Sequence, residues 1–132
     1  MTGYATIHAA SARQALLRLR FLAMLSGSSR DLPFYALTSL VSESIDLVVH
    51  SERNDGRVVV SEVTAVEDCQ SGGESTAFTT TPLLERRPGG DSLEWSGNVP
   101  VRAARKMAAA GFDLRQLLGP SSPTGQSEQC AS

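Results

Sequence analysis

The residues of this chain best suited to chemistry lie near its amino terminus, between positions 6 and 13. Ser11 and Gln14 have the spacing of a capping box, in which the two side chains each accept a backbone N–H, so a helix is predicted to begin at Ala12. His8 then lies in a short elbow between a predicted strand and this helix. An imidazole there can bond a phosphate or a water and change its charge near neutral pH. The alternative is a partly buried histidine that bonds a backbone carbonyl.

The same segment resembles a known motif. It contains Thr6-x-His8-Ala9-x-Ser11, followed by Ala15-Leu16-x-Arg18-Leu19. This pattern resembles the histidine box of the type II and type IV secretion ATPases, in particular the branch that assembles Tad/Flp pili in actinobacteria. Further similar segments follow in the family's order, at residues 31–33, 42–50, 62–66, 95–100 and 110–113. The resemblance covers about residues 3–118.

The resemblance implies a fold and a role. The fold is expected to be α/β, the carboxy-terminal part of a RecA-like P-loop ATPase domain, with a β-hairpin and a short carboxy-terminal helix. Complete family members form hexamers that use ATP and Mg²⁺. By the family's pattern His8 is the candidate catalytic residue, Thr6 and His8 are candidate nucleotide-binding residues, and Arg18 is a candidate contact between subunits. The implied partners are other ATPase subunits, the missing amino-terminal half and a membrane platform protein.

One part of an ATPase is not found in this sequence. A Walker A loop has the pattern G-x-x-x-x-G-K-[S/T], whose amides and lysine cradle the phosphates. The only lysine here is Lys106, in Ala-Arg-Lys-Met. We therefore expect the carboxy-terminal portion of a secretion ATPase, from a truncated or split gene, that neither binds ATP tightly nor hydrolyses it alone.

Two other classes of function stay open. The first is a non-catalytic module that docks onto secretion ATPase subunits, with Arg13, Arg18 and Arg20 as contacts. The same arginines suit a solvated helix face, because exposed ion pairs contribute little. The second is a helix-turn-helix DNA binder, but the break between the first two predicted helices is long for that motif and the formal net charge is -2. We therefore expect no nucleic-acid partner.

The composition describes one modest domain. The 132 residues are 41% hydrophobic and 5% aromatic, which is enough for a single core. We expect the domain to occupy residues 1–118 and the Ser-, Pro- and Gly-rich residues 119–132 to be disordered. No apolar run approaches the ~20 residues of a membrane span, so we expect a cytoplasmic protein that reaches the inner face of the membrane only through partners. Cys69 and Cys130 have no metal-ligand spacing and are expected to be free thiols.

Hydrophobic periodicity and turn residues predict the elements that position these side chains. Helices are expected over residues 12–25, 33–44 and 100–110, and strands over 45–51, 57–67, 77–84 and about 93–95. Asp55-Gly56 supplies the positive φ of a tight hairpin, and Pro82 is expected near the end of its strand. A strand carrying Tyr4, Thr6 and His8 is expected to pair with strands outside this chain, which leaves an open edge that favours self-association or docking.

Overall fold

A computed structural model describes residues 3–27, 31–69 and 76–119. Its elements are, in chain order, α1 (Ala12–Leu25), α2 (Phe34–Ser44), β1 (Leu47–Asn54), β2 (Arg57–Val66), β3 (Thr80–Arg86), β4 (Leu93–Trp95), α3 (Val101–Ala109) and α4 (Leu114–Leu118). The strands form one sheet in the order β1-β2-β3-β4, and each is antiparallel to its neighbour. The described part of the chain is therefore a mixed α/β fold built on a four-stranded antiparallel sheet.

The first helix begins where the capping residues predict. The hydroxyl of Ser11 accepts a hydrogen bond from the Gln14 N–H at 3.2 Å, so the cap is confirmed. The amide oxygen of Gln14 reaches back to the N–H of Ala10 at 3.2 Å, one residue earlier than in the standard box. One N–H that the first turn leaves open, that of Gln14, and the N–H of Ala10 just before the cap are thus satisfied locally.

The β1–β2 hairpin turns at the predicted pair of residues. Asp55 has φ 47° and Gly56 has φ 78°, and two positive φ angles are what a two-residue type I′ turn requires. The first strand begins later than expected, at Leu47. The reason is that Ile45 still belongs to the end of α2, because its N–H donates to a carbonyl of that helix at 3.1 Å.

Pro82 lies inside the third strand and not near its end, so the strand predicted over residues 77–84 had the wrong bounds. The register of the β2–β3 pair shifts between Val63 and Thr64, and Thr64 lies opposite Pro82. A proline cannot donate to the hydrogen-bond ladder, and irregular positions are where a sheet accepts one. The position of such an irregularity depends on the neighbouring strand, which local sequence does not describe.

The hydrophobic core lies between α1 and the sheet. Its centre contains Leu16 of α1, Val66 of β2 and Phe78, none of which is more than 6% exposed. Burial of each such side chain stabilises the fold by roughly 1.5–3 kcal/mol. Around this centre pack three partly buried residues, Val41, Ile45 and Val48. Helix α1 packs on the sheet through its buried residues Ala12, Ala15 and Leu16, whereas Leu22 is 54% exposed.

The residues before α1 form no strand. Residues 3–9 lie outside the sheet, and Tyr4 is fully exposed. The prediction of a strand carrying Tyr4, Thr6 and His8 was therefore wrong for the described chain. A strand forms when a neighbouring strand pairs its N–H and C=O groups, and none of the four described strands pairs with this segment.

The last two helices follow the sheet. Helix α3 was predicted over residues 100–110 and spans Val101–Ala109, with Pro100 at its N-cap position and Gly111 at φ 84° two residues after its end. The short carboxy-terminal helix of the expected fold is α3, and the further helix α4 was not predicted. The Asp113 carboxylate caps α4 by accepting the Arg115 N–H at 2.9 Å. The expected disordered tail, apart from its first residue, lies outside the described residues. Within the described residues, no helix has the length and apolar character needed to cross a bilayer.

Candidate functional site

Residues 8–12, which we call the anchored segment, are tied to the helix that follows them. The carbonyl oxygen of His8 accepts a hydrogen bond from the Arg18 guanidinium. The N–H of Ala10 donates to the Gln14 side chain at 3.2 Å. Both side chains come from the first two turns of α1, so this helix holds the backbone of the anchored segment at two points.

Strands β1 and β2 hold the anchored segment from another side. Nε2 of His50 lies 3.2 Å from the carbonyl oxygen of Ala9. The N–H of Ala12 donates to Oε2 of Glu62 at 3.5 Å, and the Thr64 hydroxyl donates to Oε1 of the same carboxylate at 2.9 Å. A carboxylate at a helix N-terminus also interacts favourably with the helix dipole. The sheet therefore fixes both the segment and the start of α1.

The side chains of Thr6 and His8 are exposed. In residues 3–27, 31–69 and 76–119, neither the Thr6 hydroxyl nor the His8 imidazole has a hydrogen-bond partner. The interpretation of His8 as a partly buried histidine on a carbonyl is therefore wrong, and that description fits His50 instead. A fixed backbone with an exposed imidazole leaves His8 accessible to a phosphate, a water or another chain.

Two arginines of α1 have different surroundings. Arg18 is exposed, and its guanidinium contacts the His8 carbonyl. Arg20 packs on aromatic rings, with its guanidinium carbon 4.4 Å from the centroid of Phe34 and 5.2 Å from that of Phe78. It also donates to the Thr38 hydroxyl at 2.9 Å, and burial lowers the pKa of Arg20 from its ordinary value. Arg20 is thus engaged in the packing of its own chain, which makes Arg18 the better candidate for a contact between subunits.

A buried carboxylate caps α3. The side chain of Glu67, in a residue only 8% exposed, accepts the N–H of Val101 at Oε1 and the N–H of Arg102 at Oε2, both at 2.9 Å. The Thr81 hydroxyl donates to Oε1 at 2.9 Å. This carboxylate satisfies N–H groups that the first turn of a helix leaves open, and its charge suits the helix dipole.

Arg102 joins α3 to the end of α2. Its side chain is only 5% exposed, and its guanidinium donates to the carbonyl oxygens of Ser42 and Ile45. The same guanidinium lies 3.0 Å from a carboxylate oxygen of Asp46 and 3.4 Å from one of Asp68. One buried cation thus satisfies the carboxy-terminal carbonyls of a helix and contacts two acids.

Each of these two acids has a second cation. Lys106 Nζ lies 2.5 Å from Asp46, and Arg105 lies 3.0 Å from Asp68. The hydrogen bond from Lys106, with a smaller one from Arg102, holds the pKa of Asp46 below its ordinary value. The pKa of Asp68 is also lowered, chiefly by the hydrogen bond from Arg105. This cluster of charges fastens α3 to the end of α2, to Asp46 just before β1 and to Asp68 just after β2, so its role is structural.

A groove of about 390 Å³ opens beside the anchored segment. His50 and Ser61 both line it, and Nδ1 of His50 lies 2.8 Å from Oγ of Ser61. Both residues are half-buried. Other lining residues include Ala10, Glu52, Glu62 and Arg86.

Sequence reasoning found the anchored segment but missed His50 and Ser61. The predicted hairpin could have revealed this pair. If the strands on either side of the Asp55-Gly56 turn pair without a shift in register, Ser61 lies opposite His50. The actual register is shifted, and His50 lies opposite Glu62, yet the Ser61 side chain still contacts the imidazole. The charged contacts around α3 could not be predicted from local sequence, because 35 residues separate Glu67 from the Arg102 N–H group that it caps.

Comparisons with models of protein families, with curated proteins and with solved structures found no match to this chain. Among the described residues, no three His, Cys, Asp or Glu side chains are placed to hold a metal ion. A function for this chain is therefore inferred from its own residues and their geometry.

Proposed function

We propose that this chain is the carboxy-terminal portion of a hexameric ATPase that powers type II/IV secretion or Tad/Flp pilus assembly. Support comes from the resemblance of residues 3–19 to the family's histidine box. The observation that carries the proposal is an exposed His8 imidazole on a segment whose backbone is held at four points. A group that links phosphate state to domain movement must be accessible to its ligand and firmly connected to the fold.

In this proposal the anchored segment faces the nucleotide. His8 contacts the phosphates and the Thr6 hydroxyl assists. Arg18 bonds the carbonyl of His8 and lies where it can also contact a neighbouring subunit, so the position of the histidine follows the position of α1. Residues 3–9, which pair with no described strand, would join the RecA-like sheet of the amino-terminal half.

ATP and Mg²⁺ are held elsewhere in the proposed assembly, because the residues of this chain do not fit that task. Lys106, its only lysine, donates to Asp46 in the charge cluster around α3 and lies in no glycine-rich loop. Phosphoryl transfer relies on a phosphate cradle and a metal site. The proposed partners are therefore an amino-terminal half that carries the Walker motifs, other ATPase subunits and, through them, a membrane platform protein.

Co-expression with the amino-terminal half of a Tad ATPase tests this proposal. We expect the two chains to purify as a complex that hydrolyses ATP, while this chain alone shows neither tight ATP binding by calorimetry nor turnover. His8→Ala should lower turnover of the complex without weakening its assembly. Gln116→Ala, a change at an exposed position of α4, is the matched control and should leave turnover unchanged. Failure to form a complex, or full activity of the His8→Ala complex, would contradict the proposal.

A second candidate is a docking module that binds secretion ATPase subunits without taking part in catalysis. It is favoured by the exposed apolar side chains along α1, where Leu17, Phe21 and Leu25 are spaced four residues apart and are 37%, 59% and 62% exposed. Contiguous apolar surface of this kind marks binding sites on proteins. In the co-expression experiment, Phe21→Glu should then abolish the complex, whereas His8→Ala should change neither assembly nor turnover.

A further inference from the structure

The β1–β2 hairpin contains a bulge that places a serine beside a histidine. The register shifts after His50, so that His50 lies opposite Glu62, Ser51 lies opposite Val60, and Ser61 between them has no partner. A bulge re-aims the side chain of the extra residue and often occurs next to active sites. Here it leaves Oγ of Ser61 at 2.8 Å from Nδ1 of His50.

The second ring nitrogen of His50 determines which tautomer is present. Nε2 lies 3.2 Å from the carbonyl oxygen of Ala9, which can only accept a hydrogen bond. In the neutral ring Nε2 therefore carries the hydrogen, and Nδ1 presents a lone pair to Ser61. The Ser61 hydroxyl then donates to Nδ1, because its contact with the His50 carbonyl oxygen is longer, at 3.4 Å. The arrangement is that of a nucleophile, a base and a group that orients the base.

We infer that Ser61 is a nucleophile, activated by His50, that accepts acyl groups from small esters. Oγ of Ser61 forms a bond to the carbonyl carbon while its proton passes to Nδ1 of His50. The bond from that carbon to the alcohol oxygen breaks, and the alcohol leaves with the proton. Water then attacks the acyl-serine and gives a proton to Nδ1; the acid leaves, and Ser61 recovers a proton from His50.

The lining of the groove indicates the class of ester. Arg86 is fixed by bonds from Nε to the Val60 carbonyl at 3.0 Å and from Nη1 to the Gly90 carbonyl at 3.3 Å. Its Nη2 has no hydrogen-bond partner among the described residues and is the candidate donor to the oxyanion that forms on acyl transfer. Three carboxylates, those of Glu52, Glu62 and Glu85, also line the groove, and its second arginine, Arg87, pairs with Glu94 at 2.7 Å, so an uncharged ester fits better than an anionic one.

A fluorophosphonate probe tests this inference on the full chain, with no dependence on the proposed ATPase role. Such a probe forms a bond from phosphorus to an activated serine oxygen and releases fluoride. We expect one phosphonyl group per chain, mapped to Ser61 by mass spectrometry of peptides. His50→Gln should slow labelling by about 100-fold, since a positioned base contributes on the order of 10²–10⁴-fold.

The neighbouring serine supplies the control. Ser51→Ala removes an exposed hydroxyl from the same hairpin and should leave the labelling rate unchanged, whereas Ser61→Ala should abolish it. The inference is overturned if the wild-type chain is labelled no faster than after heat denaturation, or if His50→Gln leaves the rate at Ser61 unchanged. Both of these measurements are made on chains that contain Ser61, the wild type and His50→Gln, so the test remains decisive even if Ser61→Ala does not fold.

Discussion

Replacement of Arg102 by alanine should be the most destabilising single change in the charge cluster. Its guanidinium is buried, with its side chain only 5% exposed, and it donates to the carbonyls of Ser42 and Ile45 as well as to Asp46 and Asp68. Truncation leaves the two carbonyls at the end of α2 without their donors. It also removes the side chain that joins α3 to α2.

The size of the effect follows from these contacts. Two hydrogen bonds from a charged donor, at the low end of about 1.5 kcal/mol each, predict a loss of about 3 kcal/mol in the free energy of unfolding. The two acids add little, because both are half exposed and keep Lys106 and Arg105 as partners. A loss of about 3 kcal/mol is a large part of the 5–15 kcal/mol typical of a domain.

Urea denaturation, followed by circular dichroism, measures this loss. With a slope of about 1.5 kcal/mol per molar urea, the midpoint of Arg102→Ala should fall by about 2 M at an unchanged slope. Arg105→Ala is the matched control, because it removes an arginine from the same helix whose side chain is 66% exposed, and its midpoint should stay close to that of the wild type. If Arg102→Ala does not fold, Arg102→Lys should show about half the shift. Equal midpoints for Arg102→Ala and Arg105→Ala would refute the reasoning.

Three further changes test other parts of the chain. The pKa of Asp46 is lowered in the folded chain, chiefly by Lys106, so its contribution to stability is present above the unfolded pKa and is lost as pH falls below about 4. Asp46→Asn should therefore flatten the dependence of the urea midpoint on pH in that range. The same pH dependence in the variant and the wild type would contradict the assignment. Gly56→Val places a β-branched residue at φ 78° and should lower the free energy of unfolding, measured by thermal unfolding, by about 1–2 kcal/mol. An unaltered melting temperature would show that the turn adapts. Arg20→Leu should lower the free energy of unfolding by about 1 kcal/mol, because the guanidinium loses its contacts with aromatic rings such as that of Phe34. A higher urea midpoint would show that desolvation of the guanidinium outweighs those contacts.

The elements whose bounds depend on residues a few positions apart were predicted well. The start of α1 depends on Ser11 and Gln14, which are three residues apart, and the hairpin turn depends on the positive φ of Asp55 and Gly56. Such signals act through backbone conformation and neighbouring hydrogen bonds, so a short stretch of sequence contains them. The end of α3 before Gly111 belongs to the same class.

Elements that depend on distant partners were predicted poorly. The strand expected through Thr6 did not form because none of the described strands pairs with it, and Pro82 lies within β3 because the register shifts opposite it. The short helix α4 was missed, since its five residues show too little periodicity to be distinguished from a loop. Pairing between strands is a property of two segments, and neither segment contains it alone.

The candidate functional residues divide in the same way, into those that local sequence identifies and those whose contacts depend on distant parts of the chain. The sequence by itself determined the capped start of α1, and it singled out residues 6–13, with Thr6 and His8 as candidates for a nucleotide site and Arg18 as a candidate contact between subunits. Only the tertiary structure decided that Arg18 bonds the His8 carbonyl and that the backbone is held from the sheet by His50. The physical reason is that capping and turn preferences act over a few residues, whereas a contact between residues 41 positions apart depends on the register of a sheet, which a single bulge changes.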